Sequence, residues 1–187
     1  MKRRHFIASG ITIPIVGCIN DVEKVDSLPN PTLGDENATM DVEIFSDFGC
    51  PSCARFTRDI LPEIYKHVET NRIKIIHYDF VLPHSELSEA GANAARLVQD
   101  NIGDKEFFEF KELVAHNHNN ALQIIESLGE EVGVNGNKVS DAIDEEIYKP
   151  VIDKDTEYAQ ELDFTSTPTV LIDRTEVVPE NLPDILE

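Results

Sequence analysis

The sequence predicts an α/β fold in three blocks: a strand–helix–strand unit, a long helical stretch, and a closing pair of strands. Three observations carry this. Met40 to Phe48 alternates Val42, Ile44 and Ser46 against Glu43, Phe45 and Asp47, and Ile73 to Phe80 is rich in β-branched and aromatic residues, which are strand signals. Residues 85–163 carry helical patterns and no turn-and-strand alternation. Thr165-Ser166-Thr167-Pro168 then opens a β-branched run to Asp173, with proline where a strand start tolerates it.

The totals fit one domain. The chain has 187 residues, 41% of them hydrophobic, enough for a single sizeable core and too few for two. There are 36 acidic against 16 basic residues, a net charge of −20. Phosphate binding needs a basic face, so nucleic acid is excluded as a partner. The acids are dispersed along the chain, and such a surface stays hydrated when salt screens its self-repulsion. A halophilic, haloarchaeal source is the expectation.

The first residues read as an address. Lys2-Arg3-Arg4 precedes a short apolar run from Phe6 to Gly17, interrupted by Pro14. A spanning helix needs about 20 residues, so this length suits a signal peptide over residues 1–17. Arg3-Arg4-His5-Phe6-Ile7 resembles a twin-arginine export signal, and Ile15-Val16-Gly17-Cys18 resembles a lipoprotein box that would lipidate Cys18. Removal of Lys2, Arg3 and Arg4 takes the net charge from −20 to −23. The alternative is an uncleaved anchor. Either places the domain outside the cytoplasm and against the membrane. Residues 18–38 hold Pro29, Pro31 and Gly34 without periodicity, and are expected to be a lipidated flexible tether to a domain over 39–187.

Within that domain the elements follow in order. After the first strand, Phe56, Ile60, Ile64 and Val68 recur every four residues, an amphipathic helix ending near Thr70 and kinked at Pro62. The second strand completes a βαβ unit with parallel strands. In the helical block, Ser88 to Val98 is an alanine-rich, close-packing helix, and Asp104 is placed to cap a helix carrying Phe107, Phe108, Leu113 and Val114. Ala121 to Leu128, Val139 to Ile147 and Pro150 to Leu162 give three more. Glu176-Val177-Val178 pairs with the Thr-Pro strand through a turn at Asp173-Arg174, and Pro179 to Glu187 is a brief terminal helix.

Cys50-Pro51-Ser52-Cys53 stands where the first strand hands over to the first helix. There the helix dipole and free backbone N–H groups favour a thiolate, and Pro51 suits the first turn. This predicts a thiol–disulfide redox site. A zinc site would need two further ligands. The one histidine cluster, His116-Asn117-His118, is read as loop decoration, and His77 and His84 as ordinary strand-end or loop residues. A static disulfide closing so small a loop removes little chain entropy. No metal or other cofactor is expected. The non-enzymatic alternative is copper binding or delivery by the same two thiols.

The order strand, Cys-x-x-Cys, helix, strand, helices, Thr-Pro strand, strand resembles the thioredoxin fold. The helical insertion between the βαβ unit and the Thr-Pro strand, at residues 85–163, resembles the DsbA-like branch of thiol–disulfide oxidoreductases. Phe45 to Cys53, Ser88-Glu89-Ala90 with Ala94-Ala95, and Thr165 to Leu171 carry the likeness. The resemblance implies that Cys50 is the attacking, exposed thiolate and Cys53 resolves the mixed disulfide. It implies a cis peptide before Pro168, with Thr167 and Pro168 facing Cys50 and binding substrate. It also implies exported cysteine-containing proteins as substrates and a membrane partner, either a quinone-linked oxidase or an electron donor. Two departures stand out. The dipeptide Pro51-Ser52 lacks the histidine of DsbA, which predicts a pair less oxidising than about −120 mV. Ile44 stands six residues before Cys50, where many relatives carry a buried acid, leaving Asp47 and Glu43 as the candidates for proton transfer.

Overall fold

Two apolar alternating strands build the centre of the molecule. The computed structural model describes residues 23–83 and 85–187; the signal segment, Cys18 and His84 lie outside the described residues. Strands β1 (Thr32–Leu33), β2 (Met40–Ser46), β3 (Ile73–Asp79), β4 (Thr169–Ile172) and β5 (Thr175–Val177) form one sheet in the order β1-β3-β2-β4-β5. β2 and β3 are parallel, with Ile44 opposite His77 and Ser46 opposite Asp79. β4 returns antiparallel on β2, and β5 on β4. Asp173 and Arg174 make that last turn with φ of 45° and 67°, as a two-residue type I′ hairpin requires. Val42, Ile44 and Ile75 join the main core. Phe45 points to the other face and stacks on Tyr78 at 4.6 Å between ring centroids.

The helix after β2 is two helices. α1 (Pro51–Asp59) stops at Ile60, and α2 (Leu61–Glu69) restarts with Pro62 in its first turn. The single kinked helix expected from periodicity is broken because Pro62 cannot donate back into α1. Between β3 and β4 lies the insertion: α3 (Glu86–Asn101), α4 (Asp104–His116), α5 (Ala121–Glu131), α6 (Gly136–Asp144) and α7 (Lys149–Glu161). A 3₁₀ turn (Pro179–Asn181) and α8 (Leu182–Leu186) close the chain. This is the thioredoxin-like arrangement with a helical insertion that the sequence predicts. Small residues on α3 bring it hard against the loop before α1. A Cβ at Gly91 would come within 2.5 Å of Phe48 Cβ.

Two further expectations are corrected. Asp104 is not a cap. The capping position is Gly103, at φ 147°, while the Asp104 carboxylate accepts from Thr32 N–H (3.0 Å) and Gln99 Nε2 (2.9 Å). The other concerns the tether, which from Val25 onward is docked. Val25 N–H donates to Ile147 O (2.9 Å), and His77 N–H donates to Pro31 O (2.9 Å). Thr32–Leu33 pairs with β3, and Val25, Leu28 and Leu33 pack on the core. Without this segment β3 would be an open edge. Two paired residues between Pro31 and Gly34 carry no period to read.

Arg96, on α3, is fully buried and ties these parts together. Its Nε donates to Asp79 Oδ2 (2.6 Å), Nη2 to Asp155 Oδ2, and Nη1 to Pro29 O (3.1 Å) and Gln99 Oε1 (3.0 Å). Asn30 Nδ2 adds bonds to both Asp155 oxygens at 3.0 Å. Burial alone would push the Asp79 carboxyl up, but Arg96 and the hydrogen bond from His77 hold it well below the usual range. Asp155 is pushed up to about 6 by burial and by the Asp79 charge. Arg96→Met leaves two buried carboxylates facing one another. It is expected to cost about 3–5 kcal/mol, seen as a lower urea midpoint at fixed salt with an unchanged m-value.

Candidate active site

The strand-to-helix junction positions both cysteines. Cys50 occupies the N-cap of α1 with extended backbone (φ −83°, ψ 120°), and Pro51 takes the first helical position. Cys50 O accepts from Ala54 N–H at 3.0 Å, starting the helix. Cys53 sits one turn in, 2% exposed. The loop before them is held by Asp47, whose Oδ1 accepts from Gly49 N–H (2.7 Å) and Oδ2 from Leu82 N–H (2.8 Å). Behind the loop, a Cβ on Gly49 would lie 2.3 Å from Ser88 Oγ, so only glycine fits against the start of α3.

The peptide Thr167–Pro168 is cis, and it covers the first cysteine: Cys50 Sγ lies 3.5 Å from Thr167 O. Cys50 is consequently 5% exposed, not the open thiol expected from its place at the helix mouth. Hollows flank it on either side. One, of about 260 Å³, runs past Ser52, Phe56 and Pro168. The other, of about 600 Å³, is lined by Gly49, Pro51, Leu87 and His118.

The two thiols are driven apart in acidity. The Cys50 thiol is pulled from 9.0 down to about 4, first by a hydrogen bond from the Cys53 thiol. The Thr167 side chain and the N–H groups of Cys53 and Ser52 assist, against the opposing effect of burial. The Thr167 hydroxyl is buried without a partner of its own, which leaves its proton for the thiolate. Burial, then the Cys50 charge, pushes the Cys53 thiol well up; its sulfur accepts from Asp47 N–H at 3.5 Å. The result is one thiolate at a helix N-terminus, paired with one buried thiol able to give it a hydrogen bond.

A family model described as thioredoxin matches residues 26–186. The chain belongs to the thioredoxin family. It is 26% identical over 150 residues to disulfide bond formation protein D of Bacillus subtilis (strain 168), an alignment covering 76% of this chain and 67% of that protein. The crystal structure of oxidised BdbD from Bacillus subtilis superposes with a TM-score of 0.75 at 22% identity, covering 88% of this chain and 96% of that one. The structure of DsbA from Chlamydia trachomatis gives 0.70 at 18% identity, covering 83% and 88%. Both carry this thioredoxin-like fold.

Of the residues predicted for this thioredoxin-family site, Cys50, Pro51, Ser52, Cys53, Thr167 and Pro168 come together. Ser52 Oγ accepts from Arg55 Nη2 at 3.3 Å and does not stand in for an imidazolium; the Cys53 thiol does that work. Asp47 reaches Cys53 through its backbone N–H. Glu43 does not reach it: its surroundings are Arg174, Asp41 and Tyr78, on the sheet face opposite Ile44. His77, read as a strand-end residue, is fully buried in mid-strand. His116 ends α4, and His118 lines the larger hollow. Among the described residues no group of three or more His, Cys, Asp and Glu is placed to hold a metal.

Sequence reading missed Lys111. This lysine of α4 is 4% exposed, and its Nζ lies 3.0 Å from His77 Nδ1. A lysine at a core position of an amphipathic helix, between Phe110 and Val114, was the available signal.

The thiolate absorbance of the reduced protein is expected to titrate as a single group with its midpoint at about 4. Cys53→Ala, which removes the strongest donor, should raise that midpoint more than Thr167→Ala. Because the folded-state value lies below the unfolded 9.0, this group's stabilisation of the reduced form is complete above that value. It declines as pH falls and is lost through about 4.

Proposed function

We propose that the protein is an extracytoplasmic thiol–disulfide oxidoreductase that forms or exchanges disulfides in exported proteins, working as an oxidant. One observation carries the reading. Cys50 caps a helix beneath the cis Thr167–Pro168 peptide, with the buried Cys53 one turn behind it, an arrangement that draws the Cys50 thiol down and pushes the Cys53 thiol up. The name of the Bacillus subtilis relative, a disulfide bond formation protein, supports it. So does the sequence ahead of the fold, with its twin-arginine-like and lipoprotein-box-like segments and Cys18 as the lipid site. Among the described residues no helix is long and apolar enough to cross a membrane.

The chemistry follows from the pair. In the disulfide form a substrate thiolate attacks Cys50 Sγ, and Cys53 leaves and is protonated. Attack there is favoured because Cys50 is the less deeply buried of the two sulfurs and the Thr167 backbone lies beside it to hold an extended segment. A second substrate thiolate attacks the substrate sulfur of the mixed disulfide. Cys50 then departs as a thiolate, a good leaving group because its thiol is so acidic. The substrate has lost two electrons and the Cys50–Cys53 dithiol holds them. A membrane quinone-linked partner would take them on. A thiolate stabilised in this way favours the reduced pair and so makes the disulfide the oxidant.

The expected reduction potential lies between about −120 and −200 mV, and a value of about −270 mV, as in thioredoxin, would overturn the oxidising direction. Cys50→Ser is expected to abolish oxidation of a dithiol peptide. Cys53→Ser should accumulate mixed disulfides visible on non-reducing gels. Running the assay with a chelator separates enzyme from copper carrier: exchange that survives metal removal belongs to the thiols.

A further inference from the structure

We propose that Lys111, seated on His77, carries the proton of Cys53 during disulfide exchange. This rests on the exchange reading above and assigns a part that neither Glu43 nor Ile44 can play. Lys111 and Cys53 line one small cavity beneath the active-site loop, together with Ser46, Asp47 and Thr57. About 10 Å³ of it is open to the centre of a water molecule, near the lower bound for holding one.

The groups around the amine define its state. On β3, His77 Nε2 bonds Asp79 Oδ1 at 3.0 Å. The ionised carboxylate fixes the proton on Nε2 and leaves Nδ1 to accept from Lys111 Nζ. Burial first, then Lys111, lowers His77 to about 3, so the ring stays neutral. Phe107 packs at 4.9 Å from the ring and Phe48 at 6.2 Å. Beyond Asp79 stand Arg96 on α3 and Asp155 on α7, already bonded to each other. On the active-site loop, the Asp47 oxygens accept from two backbone N–H groups. Among the described residues Lys111 makes no salt bridge, and His77 is its one hydrogen-bond partner. A buried ammonium without a carboxylate is costly. Burial accordingly lowers Lys111 to about 8, while Cys53 and Asp79 oppose that shift. The amine is poised to take a proton near neutrality, and it gains most when Cys53 is the thiolate.

The steps balance. When Cys53 resolves a mixed disulfide, its S–H proton passes to the Lys111 amine, directly or through one water. The Cys53–Cys50 bond forms, the Cys50–substrate bond breaks, and the substrate sulfur leaves with the electron pair. In the oxidising direction a substrate thiolate opens the Cys50–Cys53 bond, and the Lys111 ammonium protonates the departing Cys53 sulfur. Lys111 thereby couples the proton to sulfur chemistry at the inner thiol, and His77 is the positioning residue.

Reaction of the reduced protein with an aromatic disulfide that releases a coloured thiol reads both stages. The first release reports attack by Cys50, and the second reports attack by Cys53 on the mixed disulfide. In the wild type the second phase should bend with pH at about 8. In Lys111→Met it should be about 10²-fold slower at neutral pH, as loss of a general base implies, and should rise with hydroxide without that bend. The first phase and the Cys50 titration should stay unchanged. Lys111→His, which restores a titratable group, should return the bend at lower pH. A second phase whose pH profile is unmoved in both variants overturns the proposal and leaves the exchange reading standing. A wild type with no second phase overturns both.

Discussion

Arg96 is the constraint on which the rest of the structure depends. A guanidinium with no solvent exposure needs partners for its donors, and they come from Gln99 on its own helix and from three distant parts of the chain: Pro29, Asp79 and Asp155. The N-terminal segment, strand β3 and helices α3 and α7 are therefore fixed relative to one another by one side chain. Replacing the set with apolar residues could be neutral in stability, but removing one member is not. The charge serves geometry: it aligns the insertion with the sheet, and through Asp79 it sets which nitrogen of His77 carries a proton.

From that alignment the reactive pair inherits its asymmetry. Cys50 and Cys53 belong to one helical turn, yet they meet different surroundings. The first sits where α1 begins, under Thr167, with donors converging on its sulfur. The second is sealed between β2, α1 and α4, where burial favours the neutral thiol. Helix N-termini favour anions in general. Here the inner thiol is itself the strongest donor to the outer thiolate, so oxidation of the pair removes both donor and acceptor at once. The same closeness covers Cys50 with the Thr167–Pro168 backbone.

Much of this was legible in the sequence because it rests on local pattern. Alternation placed β2 and β3, helical spacing placed the insertion, and Cys50-Pro51-Ser52-Cys53 with Thr167-Pro168 marked the site. Three things were not legible, each because it depends on contacts distant in sequence. Pro29 and Asn30 look like linker residues until Arg96 and Asp155 are placed beside them. His77 reads as one more polar residue on a strand until α4 lies across it. Lys111 looks like a surface lysine unless its helical phase is counted against Phe107, Phe110 and Val114, which places it on the buried side. Asp47 and Glu43 are the acids nearest Cys50 in sequence, which is why they read as the proton-transfer candidates. With Ile44 six residues before Cys50, the insertion contributes Lys111 to the cavity that Cys53 lines, beside Ser46, Asp47 and Thr57.

Docking of the N-terminal segment would also limit the reach of a molecule anchored by lipid at Cys18, as proposed above. Among the described residues of that segment, the first with a backbone bond to the fold is Val25, seven positions after Cys18. A lipid carried by Cys18 would be joined to the folded body by a leash of about 25 Å at full stretch. A domain of this size has a radius of gyration of about 15 Å, so the leash is shorter than the body is wide. Such a protein would ride close over the bilayer with one side turned toward it. Its working range would be a thin layer at the membrane surface, where newly exported chains emerge and where a quinone-linked partner would be embedded.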